Sequence, residues 1–186
     1  MDEKRVLLPI AVTVLVLLGA AASSLAAGAG TPKVSPLPQK RLTPVKVRHV
    51  NPLVTRKLRR TTWHWQAVMG LRRSHSMAPL HGMRALRFWR GHARAVLRLA
   101  ARPPHRSAWL CIHRYEGSWR DGGDPYWGGL QMDRGFMHSY AARDLLRRGL
   151  ANNWSPLEQM WVAERAYRSG RGFYPWPNTA RYCGLI

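Results

Sequence analysis

Carboxylates are scarce in this 186-residue chain, with nine Asp and Glu against 30 Lys and Arg, and none between Glu3 and Glu116. Lysine disappears after Lys57, and cysteine occurs only twice, at Cys111 and Cys183. Each absence excludes something. An acid-free stretch of that length has no carboxylate for acid–base chemistry, which leaves attachment to an anionic surface as its role. Two cysteines exclude a disulfide-dense scaffold. The nearby His105 and His113 lack paired-ligand spacing, so no metal site is expected, and no sequence feature calls for a cofactor.

What is present divides the chain. Twenty of the Lys and Arg lie in residues 1–106, against Asp2 and Glu3; residues 107–186 hold ten Arg against seven acids. A basic arm joined to a near-neutral folded unit follows. Residues 1–29 read as a signal peptide or signal anchor: Lys4 and Arg5 precede an apolar run from Val6 to Ala22, and Ala27-Gly28-Ala29 supplies small residues suited to cleavage. Residues 6–27 are long enough to act as a membrane tether if retained. The expected location is extracytoplasmic, either secreted to the wall or tethered, which argues against nucleic acid as a partner. In that oxidising setting Cys111 and Cys183 are expected to pair.

Residues 30–55 contain five prolines and several cations and read as a linker. Residues 56–106 form a basic helical segment. From Met83 to Ala101 the positions Leu86, Trp89, Ala93, Val96/Leu97 and Ala100 follow helical spacing, with Arg84, Arg87, Arg94 and Arg98 mostly elsewhere. Two readings stay open for that helix: its apolar stripe packs on the following domain, or it lies on a membrane surface. Arg102-Pro103-Pro104-His105 marks the expected boundary.

Residues 107–186 are expected to be mostly α, a small α+β unit. Ser107 is placed as a cap for a helix reaching Tyr115 or Glu116. A loop or rudimentary hairpin follows, then a helix from Asp133 to Arg147. Ser155-Pro156-Leu157-Glu158 is a capping box with proline at the first helical position, opening a helix that runs to about Ser169. The tail reads as irregular.

Glu116 follows an aromatic residue and precedes the loop holding Trp119, Tyr126, Trp127, Gly128, Gly129 and Gln131. A carboxyl among aromatic rings loses hydration and keeps its proton more readily, as a general acid requires. Aromatic faces suit sugar rings, glycines admit close backbone approach, and the Gln131 amide both donates and accepts.

The ordered blocks EGSW, YWGGLQM, SPLEQMWVAER and GFYPWP…C resemble the transglycosylase-like domain of the resuscitation-promoting factors, exported actinobacterial proteins that cleave peptidoglycan. The resemblance covers about residues 107–186. It implies a lysozyme-like fold with Glu116 as the catalytic acid, Gln131, Tyr126, Trp127, Gly128, Gly129 and Trp119 along a glycan groove, and Glu158–Arg165 as a supporting helix. Trp119 and Trp176 match aromatic positions that serve either core or sugar. One departure concerns the cysteines. The family places a cysteine directly before the catalytic Glu, where Tyr115 stands here; Cys111 lies four residues earlier, and Cys183 is displaced by about as much past Trp176-Pro177. Both shifts fit a bridge moved one helical turn.

A second carboxylate is harder to place. Asp121 and Asp124 read as turn formers and Asp133 as a helix cap. A single glutamate suffices for a lytic transglycosylase, which leaves a 1,6-anhydro product, and hydrolysis remains the alternative. Peptidoglycan strands are the expected partner, with anionic wall polymers or anionic lipid for residues 33–106. A glycan-binding protein without turnover and a cationic membrane-active protein are the rival functions.

Overall fold

Helices α1 (Pro52–Met69) and α2 (Gly82–Ala100) open the part of the chain that the computed structural model describes, residues 50–186. The expected signal segment 1–29 and most of the linker lie outside the described residues. The linker was expected to reach residue 55, but α1 starts at Pro52: Asn51 caps it by accepting a bond from the Leu53 N–H, and Pro52 occupies the first turn. There the fixed φ of proline favours a helix, and its missing N–H costs nothing. None of the helices described is long and apolar enough to cross a membrane.

The α1–α2 segment is a parallel pair, not a hairpin. Residues near the start of both helices, Pro52 and Thr55 on α1 with Gly82 and Ala85 on α2, line one cleft. Trp63 and Trp89 meet edge to face midway, with centroids 5.6 Å apart. Val68 and Met69, at the end of α1, join Val96 and Ala100, at the end of α2, in the core. The connection from Leu71 to His81 therefore runs back along the pair. The α2 stripe is buried at Leu86, Trp89, Ala93, Val96 and Ala100, as the spacing predicts, whereas Leu97 is exposed.

The remaining helices are α3 (Arg106–Glu116), α4 (Arg134–Tyr140), α5 (Arg143–Leu146), α6 (Pro156–Ala166) and α7 (Pro177–Tyr182). The protein is mostly helical. Its β content among the described residues is one antiparallel bridge, Trp127 to Met132, where a loop or rudimentary hairpin was expected. Three local expectations are corrected. His105, not Ser107, precedes the first turn of α3. The single helix expected from Asp133 to Arg147 breaks at Ala141 and Ala142, whose extended backbone separates α4 from α5. The tail is not irregular: Pro177 starts α7. Beyond α6, a wide helical turn over Tyr167–Arg171 contains left-handed Gly170.

The core is organised by α6. Met160, Trp161, Val162, Ala163 and Ala166 are buried, and one apolar cluster runs from Val68 through Trp109 and Trp161 to Ala180. Burial of this kind contributes about 25 cal/mol per Å² of apolar surface. The boundary expected at residue 106 therefore crosses a continuous core, and residues 50–186 form one compact unit. Helix α6 holds the C-terminal ends of the α1–α2 pair directly. Trp161 Nε1 donates to the Ala100 carbonyl at 2.8 Å. Arg168, just beyond α6, donates to the Met69 carbonyl at 2.8 Å. Donors and cations suit these ends, where helix carbonyls lack intrahelical partners.

A charge cluster completes this junction. His64 on α1 bonds Asp144 through Nδ1 at 2.6 Å and Glu158 through Nε2 at 2.8 Å. Two carboxylates facing both ring nitrogens require the doubly protonated ring. The Glu158 bond outweighs the effect of burial and raises the His64 pKa. Burial alone would raise Glu158, but bonds from His64, Arg148 and Ser155 bring it down to about 2. Glu158 also closes the capping box with Ser155.

The bridge Cys111–Cys183 joins α3 to the end of α7, with Cα atoms 6.0 Å apart. Linking residues 72 apart stabilises the fold by roughly 4 kcal/mol on the chain-entropy estimate.

Candidate active site

Glu116 is the last residue of α3, and besides a Tyr115–Tyr182 ring contact α3 is tied to α7 by two bonds, one of them the disulfide. The other is a hydrogen bond: Thr179 Oγ1 on α7 donates to Glu116 Oε1 at 2.7 Å. Cys111 precedes Glu116 on α3 while Cys183 follows Thr179 on α7, so the paired positions run in opposite chain directions. This fixes the glutamate from both sides. One carboxylate oxygen is engaged and the half-buried side chain borders a cavity of about 270 Å³.

That cavity is lined by Glu116, Tyr126, Gln131, Pro175, Trp176, Pro177 and Asn178. A second cavity of about 370 Å³ shares Tyr126, Gln131, Pro175 and Trp176 and continues past Asp133, Ser139 and Arg171. Together they make an open groove with Glu116 at one end. Tyr126 is exposed over it. Trp176 presents only an edge, being buried, with Nε1 donating to the Leu130 carbonyl at 2.6 Å.

Gln131 sits at the junction of the two cavities, in a left-handed backbone conformation with φ of 46°. Its amide nitrogen donates to Asp121 Oδ2 at 2.7 Å and to the Gly128 carbonyl at 3.1 Å. Both acceptors demand N–H donors, which sets the amide orientation. With both hydrogens used, Gln131 offers the groove an acceptor oxygen and no donor. The two-way hydrogen bonding expected of it is thereby narrowed to one.

Asp121 does more than form a turn. Its Oδ1 accepts from the Gly123 N–H at 3.2 Å while Oδ2 holds Gln131. Gly117, between Glu116 and this pair, has φ of 135°, and a Cβ there would lie 3.3 Å from Asp121 Oδ2. The backbone angle calls for glycine, and a side chain would in addition press on the Asp121 carboxylate. Asp133 caps α4 by accepting from the Phe136 N–H at 2.7 Å. Asp124 is exposed in the loop.

Four predicted site residues lie off this groove: Trp127, Gly128 and Gly129 are buried, and half-buried Trp119 borders a separate cavity. Trp127 is buried, with the Arg134 guanidinium 4.8 Å from its ring centroid. Trp119 stacks on His113 with centroids 3.9 Å apart. A Cβ on Gly128 would lie 2.5 Å from Gln159 Oε1, and one on Gly129 would lie 2.6 Å from His113 Nδ1 and 2.7 Å from Trp119. These glycines admit protein neighbours, not a ligand. Buried Gln159 on α6 anchors the loop: it accepts from the Gly129 N–H at 2.9 Å and donates to the carbonyls of Trp119 and Ala151 at 2.9 and 2.8 Å.

Sequence reasoning missed Thr179, Pro175 and Asn178. Proline at the first position of α7 was the available signal, since a helix there returns the tail across Glu116. Among the described residues no group of His, Cys, Asp and Glu is arranged to hold a metal ion. Compared with family models, curated proteins and solved structures, the chain matches none.

Proposed function

We propose that this chain is an exported, lysozyme-like, peptidoglycan-cleaving enzyme that cuts the β-1,4 bond between N-acetylmuramic acid and N-acetylglucosamine. The observation that carries the reading is Glu116, tied by Thr179 at the mouth of a groove edged by Tyr126, Gln131 and Trp176. The motif resemblance over residues 107–186 supplies the substrate class.

In this reading the Glu116 carboxylic acid gives its proton to the bridging oxygen as the bond to C1 of the muramic acid breaks. The C6 hydroxyl oxygen of the same sugar then bonds to C1, and its proton passes to the Glu116 carboxylate. The glutamate ends as it began, and a 1,6-anhydro sugar leaves. The neighbourhood favours this route over hydrolysis by paired carboxyls. Glu116 is the one carboxylate of its cavity, Asp121 is engaged by Gln131 and Gly123, and Asp133 is engaged as a cap.

The test is mass spectrometry of muropeptides released from purified sacculi. Wild type should release anhydro products, each lighter by one water than a hydrolysis product. Glu116→Gln should release them about 10²- to 10⁴-fold more slowly, the usual worth of a positioned acid. Equal release by both proteins ends the catalytic assignment; binding of sacculi without release by wild type leaves the groove as a glycan-binding site.

A further inference from the structure

The end of the α1–α2 pair farthest from α6 carries a surface for which the groove has no use. Both helices begin there. Every Lys and Arg between Val50 and Ala100 is exposed, and among the described residues none of them forms an ion pair. No carboxylate lies in this part of the chain to neutralise them. Interleaved with Arg56, Lys57, Arg84 and Arg87 are exposed apolar side chains, Leu53 at 62%, Val54 at 45% and Met83 at 38%. Between the helix starts lies a cleft of about 250 Å³ with Arg56, Arg59 and His81 on its walls and Ala85 and Trp89 among its apolar lining.

We infer that this end is a docking surface for an anionic lipid bilayer, with the cleft between Arg56, Arg59 and His81 receiving a lipid phosphate. Charge complementarity requires an anionic partner, and the exposed Leu53, Val54 and Met83 select among anions. A hydrophilic polyanion leaves such side chains in water, whereas the boundary between headgroups and acyl chains buries them. The covalent order agrees: Val50 lines the cleft, so the preceding segment with its apolar run Val6–Ala22 joins the molecule at this end. The pair is about 27 Å long at 1.5 Å per residue, so docking here holds the groove-bearing region about that far from the headgroups. This inference does not depend on the groove being catalytic.

The test uses the full chain with two kinds of vesicle, phosphatidylcholine alone and phosphatidylcholine mixed with phosphatidylglycerol, comparing wild type with a variant carrying Arg56→Glu, Arg84→Glu and Arg87→Glu. Any binding through the apolar run is common to both proteins and appears on the neutral vesicles. Wild type should prefer the mixed vesicles at least tenfold, and the variant should lose on the order of a hundredfold on them alone. Equal affinity of wild type for both compositions, or an unchanged variant, overturns the inference. So does displacement by a soluble glycerol-phosphate polymer at less phosphate than the vesicles present, which would make the polymer the partner. Circular dichroism checks that the variant stays folded, and muropeptide release by the same variant should match wild type, which separates loss of docking from failure of the catalytic reading.

Discussion

At the scale of single residues, Asp121 and Gly128 show how one side chain, or its absence, sets the site. Asp121 bears on the chemistry proposed for Glu116 through Gln131, whose amide it orients at 2.7 Å. In Asp121→Ala the Gln131 amide keeps only its longer bond to the Gly128 carbonyl and is held less firmly, so muropeptide release should fall roughly ten- to hundredfold, the usual cost of a misplaced group. Stability should drop by only about 1 kcal/mol for the lost bond. Gly128 is the reverse case. Its φ is 75°, and an added methyl would meet Gln159 Oε1 at 2.5 Å. Gly128→Ala should therefore destabilise by roughly 3 kcal/mol through overpacking and backbone strain, read from urea unfolding. That a helix ends at Glu116 was legible from the glycine that follows it. Whether Tyr126 or Trp127 would face the groove was not, because adjacent residues in an irregular loop carry no period that assigns a side.

At the scale of elements, the α1 contact with α5 and α6 is the feature most sensitive to pH. His64 has a raised pKa, so its contribution is fully present below about 6.5 and is lost as pH rises through the folded value. Glu158 is lowered from 4.5 to about 2, so its contribution is present above 4.5 and is lost as pH falls toward 2. The junction is thus strongest between about pH 4.5 and 6.5. Thermal unfolding followed from pH 3 to 9 should show wild type losing stability on the alkaline side of this window, and His64→Gln should flatten that limb. A parallel alkaline slope in the two proteins would remove His64 from the account. The capping box and proline start of α6 were readable, because capping is a local bargain among neighbouring backbone groups, whereas the proline starts of α1 and α7 went unread. The break at Ala141 was not. Nothing in Tyr140-Ala141-Ala142 opposes a helix, and tertiary packing overrides propensity there.

At the scale of the whole molecule, the basic segment belongs to the folded unit. Val68, Met69, Val96 and Ala100 complete the core around Trp161, and Ala100 supplies the acceptor for the Trp161 indole. A chain beginning at Arg102 would expose that face and leave the indole N–H without its partner. It should be recovered as an aggregated or molten species, and the test is its near-ultraviolet circular dichroism beside that of the full chain. A sharp, cooperative melt of residues 102–186 alone would instead support a boundary near residue 106. The charge split misled on this point: it reported which residues face solvent, and an exposed arginine looks the same in sequence on a detached arm and on the outer face of a docked helix.

The amino-acid sequence by itself determined the start of α6, the amphipathic stripe of α2, the partnership of the only two cysteines and the isolation of Glu116 as the first carboxylate after Glu3. All of these rest on residues within a few positions of one another or on simple counts. Only the tertiary structure decided that α1 and α2 run parallel, that Trp127 and the paired glycines pack inward, and that Thr179 reaches Glu116 across 63 steps of chain. Those outcomes depend on which surfaces are buried against which, and burial is settled by volume and hydrogen-bond partners brought together from distant segments.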